Sequence, residues 1–175
     1  MKDQQKIFCC KVYAAALALY HKDKANSVSP VFTTAQAMLE SGWGNSTIGN
    51  NLFGMTVGSN WKGKKVLVTT HEVFQSGKHT FVPPERVLNI VKMNNGCYNY
   101  KVQRYFRDYN TLEDGLMDHN ELFKKPLYAD AWPYRLYAKE FAKRISDYKG
   151  ARYATDPNYY KTLWSLINMV QNIVK

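Results

Sequence analysis

The chain has 175 residues, 45% hydrophobic and 22% charged, which excludes a disordered polypeptide and leaves room for one domain with its own core. It carries 24 Lys and Arg against 14 Asp and Glu, and a formal charge of +10 favours an anionic partner: nucleic acid, an acidic membrane surface or an acidic wall polymer. No run is long and apolar enough to span a bilayer, and three Cys without CxxC spacing speak against a disulfide framework or a zinc site; they read as buried free thiols, with a bridge from Cys9 or Cys10 to Cys97 left open. The basic residues are spread along the chain rather than gathered into a nucleic-acid-binding arm.

A first helix is predicted over residues 4–24, with Ile7, Phe8, Val12, Ala15, Ala16 and Leu19 at helical spacing. Its run Val12–Tyr20 has the length of a signal-peptide core. No small-x-small cleavage site precedes His21, so it reads as part of the mature fold, and action outside the cytoplasm would need another export route. Ser29-Pro30 predicts a second helix, Ser29 capping and Pro30 at the first helical position, ending near Ser41 with Gly42 as its stop. Val31, Ala35, Met38 and Leu39 form its apolar stripe, and Phe32, Gln36 and Glu40 share a neighbouring face.

Residues 58–82 change character. Val66–Thr70 and Val73-Phe74 are strand-like, Gln75–Lys78 reads as a hairpin turn, and His79–Val82 as the return strand, closed by Pro83-Pro84. The stretch 85–107 has no clear pattern until Gln103–Tyr109, which reads as a further strand. Thr111 and Asp114 form a capping-box start for a helix that Pro126 ends. Another helix is predicted from Pro133 to Asp147, stopping before Gly150, and a last one over Tyr159–Val174. The organisation is a helical body interrupted by a small β-lobe at about 58–107, all in one domain, residues 1–175.

The chemistry concentrates in Ala35–Thr56, where a helix brings Glu40 to its C-terminal end and opens into a loop holding Trp43, Asn50, Asn51 and Phe53. The negative end of the helix dipole and the apolar neighbours Met38, Leu39 and Trp43 both favour a protonated Glu40. A carboxylic acid kept neutral is what donates a proton to a glycosidic oxygen. A glycosidase normally needs a second carboxylate, and the β-lobe offers Glu72 and Glu85. Trp43 and Trp61 sit in Gly/Asn-rich loops suited to stacking on sugar faces. No GxGxxG, P-loop, HExxH or GxSxG motif is present, the four His are scattered, and no metal or cofactor is expected.

Several separated segments share a resemblance: Ala35–Gly44 (AQAMLESGWG), Asn51–Gly54 (NLFG), Trp61-Lys62-Gly63, Thr70–Phe74 (THEVF), Tyr105–Tyr109 (YFRDY) and Tyr153–Tyr159 (YATDPNY). In this order they resemble glycoside hydrolase family 73, the flagellar-rod and autolysin type of endo-β-N-acetylglucosaminidase in the lysozyme-like superfamily. The resemblance implies a mainly helical α+β fold, a lysozyme-like helical lobe with a small antiparallel β-hairpin lobe flanking a glycan-binding cleft. It implies hydrolysis of peptidoglycan between N-acetylglucosamine and N-acetylmuramic acid, with Glu40 as general acid and Glu72 as second carboxylate. Trp43, Asn51, Phe53, Trp61 and Tyr153 would line the groove.

The partners so implied are peptidoglycan glycan strands, without nucleic acid or a membrane span; whether an immunity or inhibitor protein also binds the groove is left open by the sequence. Work in the periplasm or wall is expected, after export by a phage lysis system or a dedicated secretion machine. Residues 83–102 look inserted relative to the family. The competing readings are a muramidase or lytic transglycosylase on the same fold, and a non-catalytic basic binder of wall polymer or nucleic acid.

Overall fold

The computed structural model describes residues 2–58, 60–147, 153–154 and 156–175. Gly150 and Thr155, invoked above as a helix stop and as part of the closing motif, lie outside the described residues. Two compact units emerge, one of Met1–Gly54 with Tyr109–Lys175 and one of Met55–Asp108.

The first unit is helical. Helix α1 (Asp3–Lys22) buries Cys9, Val12, Ala15 and Ala16. Ile7, expected in that stripe, is 67% exposed, because Cys9 turns inward in its place. Helix α2 (Pro30–Glu40) starts where the sequence predicts, the Ser29 hydroxyl accepting from Phe32 N. It buries every residue from Phe32 to Met38, so it is a central helix rather than one with a single apolar stripe. It packs against α1, α4 (Ala138–Asp147) and α5 (Tyr159–Ile173). Phe32, Phe123 and Phe141 meet edge to face at 4.8–5.8 Å at its centre. Each such fully buried side chain contributes about 1.5–3 kcal/mol.

Helix α3 (Leu112–Leu122) has the predicted capping box, Thr111 and Asp114 exchanging backbone-to-side-chain bonds at 3.1 Å each way. Gly115 in its second turn is required by close approach, since a Cβ there would lie 2.6 Å from the Asn50 carbonyl oxygen. Helix α4 begins at Ala138, five residues later than predicted. The Arg135 carbonyl accepts from Ser29 N at 2.8 Å, which takes it out of a regular helix, and single 3₁₀ turns at Pro126–Tyr128 and Trp132–Tyr134 fill the gap.

The second unit is a three-stranded antiparallel sheet in the order β1-β3-β2, from β1 (Lys65–Phe74), β2 (Arg86–Lys92) and β3 (Tyr98–Arg107). The return strand expected at His79–Val82 does not form. The pairing edge of β1 is taken by β3 from Lys65↔Arg107 to Phe74↔Tyr98, and Pro83-Pro84, joined by a cis peptide bond, interrupts any ladder. Residues 79–81 lie over the sheet face instead, His79 stacked on Phe74 at 3.8 Å and Phe81 edge-on to it. The segment that looked inserted supplies β2 and its Asn94-Asn95-Gly96 turn into β3, closed by Met93 N to Cys97 O at 2.8 Å. All three Cys are free thiols, and Cys10 is exposed rather than buried. Among the described residues no helix is long and apolar enough to cross a membrane.

Candidate active site

Helix α2 ends in a turn that dictates where Glu40 points. Gly42, with φ +54°, follows the cap residue Ser41. Its N–H reaches Leu39 O at 3.4 Å, while the Trp43 N–H reaches Met38 O at 2.9 Å. This paired closure needs a left-handed residue at position 42, which glycine adopts without a Cβ penalty. Glu40 is thereby the last helical residue. Trp43, itself at φ +63°, is turned back against the core cluster.

The Glu40 carboxyl is largely withdrawn from water, and burial raises its pKa above the usual carboxylate range. A hydrogen bond donated by the Tyr159 hydroxyl to Glu40 Oε1 at 2.8 Å works in the opposite direction and is the smaller effect. The negative end of α2 adds to the preference for the neutral acid. Tyr159 opens α5 and also accepts a bond from the Gln36 side-chain amide at 2.8 Å. Burial, and next the Glu40 carboxylate, push the Tyr159 and Tyr153 phenols well above their ordinary values, so both stay neutral donors.

Tyr153 stacks on Tyr159 at 5.7 Å and on Phe123 at 5.8 Å, and its backbone N–H is held by Ile145 O. Behind it lies His119, wholly buried, edge-on to Tyr153 at 6.4 Å and stacked flat on Phe53 at 3.6 Å. Neither ring nitrogen of His119 has a hydrogen-bond partner among the described residues, and burial pulls its pKa down to about 3. A continuous run of side chains thus joins Phe53, His119, Tyr153, Tyr159 and Glu40 in the helical unit. Asn51 and Phe53 are 2% and 8% exposed, Asn51 closing a tight backbone pair with Ile48. These two are placed to hold up the loop, whereas Trp43 and Tyr153 keep part of their surface open.

Glu72 and Trp61 belong to the sheet unit. Glu72 alternates onto the same face as Thr70, Phe74 and Arg104. Arg104 donates to Glu72 Oε1 at 3.0 Å, and its Nε lies 3.4 Å from Glu85 Oε2 without hydrogen-bond geometry. The two carboxylates the sequence offered as alternatives are therefore gathered by one guanidinium. Glu85 also accepts from Tyr105 N at 2.9 Å. The Trp61 indole donates to Lys64 O at 2.9 Å, is covered by the Arg107 guanidinium at 4.7 Å, and rests on Gly63, where a Cβ would be 2.4 Å from its ring.

The family model described as mannosyl-glycoprotein endo-beta-N-acetylglucosaminidase matches residues 16–172, which takes in both units. The chain belongs to the glucosaminidase family. Among curated relatives, the exo-glucosaminidase LytG of Bacillus subtilis is 30% identical over 170 residues, covering 94% of this chain and 51% of its own length. The peptidoglycan hydrolase FlgJ of Escherichia coli is 32% identical over 147 residues, covering 79% and 39%. The chain thus spans about half the length of the first of these relatives and less of the second.

The glycoside hydrolase domain of Salmonella typhimurium FlgJ superposes with a TM-score of 0.67 at 28% identity, over 96% of this chain and 98% of that one. The chain is thus a glucosaminidase-family protein of mainly helical α+β fold. Its sequence pattern pointed to Glu40 and Tyr153 but not to Gln36, Tyr159 or His119 as their supports. The one available signal was spacing: Gln36 lies four residues before Glu40, on the same helical face.

Proposed function

We propose that this glucosaminidase-family chain hydrolyses peptidoglycan, cutting the β-1,4 bond that follows N-acetylglucosamine, with Glu40 as general acid. The observation that carries this reading is the withdrawn Glu40 carboxyl at the end of α2, its pKa raised by burial while a phenol steadies one oxygen. An acid so held keeps its proton to higher pH than an exposed carboxyl does, delivers it to the glycosidic oxygen, and is left as the carboxylate. Glu72 is the second carboxylate of the proposal. It acts on the positive charge at the anomeric carbon, through water or through the acetamido group of the sugar.

Trp43, Tyr153 and Trp61 supply sugar-facing surface in this reading, and Asn51 and Phe53 shape the loop that carries it. The name of the Escherichia relative, a peptidoglycan hydrolase, supports a wall glycan as substrate, and that of the Bacillus relative, an exo-glucosaminidase, supports the bond. The net charge of +10 suits a polymer bearing carboxylates, and in this reading the chain works in the periplasm or wall. One catalytic domain built from both units is consistent with a single family model spanning them.

The test is digestion of purified peptidoglycan by wild type and Glu40→Gln, with mass spectrometry of the new ends. Reducing N-acetylglucosamine ends, and a loss of at least about 10²-fold in the variant at unchanged melting temperature, are expected. Reducing muramic acid or anhydromuramic ends would reassign the bond cut. A fully active Glu40→Gln would refute the role of Glu40.

A further inference from the structure

Tyr159 reaches Glu40 from a helix 119 residues away, and its place is fixed independently of the acid. Asp156 accepts from Asn158 N at 2.8 Å through its side chain and from Tyr159 N at 3.1 Å through its carbonyl, so the first turn of α5 is pinned. The Tyr159 ring is 6% exposed and stacked on Tyr153. Its hydroxyl has one proton and stands 2.8 Å from both Gln36 Nε2 and Glu40 Oε1. The Gln36 amide presents its N–H to the phenol oxygen, so the single phenolic proton goes to Glu40 Oε1. Gln36 is fully buried, and its Oε1 has no partner among the described residues, so this is the bond its side chain makes.

The geometry points to Tyr159, oriented by Gln36, as a positioning residue that reserves Oε1 of Glu40 and leaves the transferable proton on Oε2. A proton on Oε1 would face the phenolic hydrogen, and the phenol cannot turn that hydrogen away without meeting the Gln36 N–H. Oε2 is the oxygen free of this constraint. In the transfer the Oε2–H bond breaks and the proton joins the glycosidic oxygen. The bond from the anomeric carbon to that oxygen breaks with its electron pair going to the departing hydroxyl, and a water oxygen bonds the anomeric carbon, losing to solvent the proton that later restores the acid. Glu40 is left as a carboxylate. The Tyr159 bond to Oε1 therefore strengthens as charge develops, a gain made in the transition state and not in the bound substrate.

This inference rests on the reading of Glu40 as general acid, and one set of variants separates the two. In Tyr159→Phe, assayed on solubilised glycan strands, kcat is expected to fall roughly tenfold with KM within about twofold. The alkaline limb of the kcat–pH profile is expected to move to higher pH, because the contact removed is the one that favours ionised Glu40. Gln36→Met, which keeps the volume and removes the N–H, is expected to move the limb the same way by less, and it serves if Tyr159→Phe does not fold.

Thermal unfolding and the circular dichroism spectrum establish that each variant is native. A native variant with the wild-type limb overturns the inference, whether its rate is unchanged or merely lowered, since a packing defect alone lowers rate without moving the limb. An inactive Glu40→Gln beside an unmoved limb rejects the positioning role only. An active Glu40→Gln rejects the acid assignment itself.

Discussion

Glu40 and His119 are buried ionisable side chains, and burial drives them in opposite directions, each toward its neutral form. For Glu40 that is the form with a proton to give. For His119 it is a ring without charge, flat against Phe53 and with no partner for either nitrogen among the described residues. The cost appears in acid. An unfolded His takes up its proton near pH 6.5 and the folded one only near 3, so the unfolded chain binds more protons between those values. Stability from the buried neutral ring is complete above pH 6.5 and is lost as pH falls toward 3. In His119→Leu this slope should flatten: urea midpoints measured from pH 7 to pH 4 should fall less steeply than in wild type. Parallel curves for the two proteins would show that His119 does not set the acid sensitivity.

Among the elements, β3 does the most to organise the second unit. It sits between β1 and β2, and its Arg104 ties Glu72 on β1 to Glu85 in the turn after Pro83-Pro84 while lying over Phe81 at 5.3 Å. Arg104→Met keeps the aliphatic stem and removes the charge, leaving two partly covered carboxylates facing one another. The expected loss is about 1–2 kcal/mol, less than for a fully buried pair because all three side chains retain 16–29% exposure. If Glu72 serves the reaction, hydrolysis should drop further than this stability loss explains. Wall clearance measured well below the melting temperature separates the two effects. Wild-type clearance by a folded Arg104→Met would show that the ion pair is dispensable to activity.

For the molecule as a whole, the high aromatic content divides into two populations. Phe32, Phe123, Phe141 and Tyr100 are fully buried. Tyr105, Trp61, Trp164, Trp132 and Tyr134 instead lie under Lys or Arg cations, at 3.6–4.8 Å. Five of the 24 Lys and Arg are thus held against these rings. Binding to intact walls should weaken several-fold as ionic strength is raised from about 0.05 to 0.3 M, with less change on walls stripped of anionic polymers. Pull-down on native and stripped walls across a salt series checks this. Equal salt sensitivity on both would remove the anionic polymer from the account.

Local signals carried most of the first unit. Ser29-Pro30, Gly42, Thr111 with Asp114, and the helical spacing after Tyr159 each depend on bonds closed within a few residues, so the chain itself specified those helix ends. The acid preference of Glu40 was legible for the same reason, as a carboxyl at the end of an apolar helix. The sheet was less so. The sequence marked a hairpin turn at Gln75–Lys78, but which strand β1 pairs with depends on distant edges, and β3 pairs with it where residues 79–82 were expected. The supports of Glu40 lay beyond any local reading. Gln36 looked like a face residue until α5 packed across it, and Tyr159 meets Glu40 only when 119 residues of chain have folded between them. Hydrogen bonds of that reach are set by tertiary packing, and spacing in the sequence marks only that Gln36 and Glu40 share a helical face.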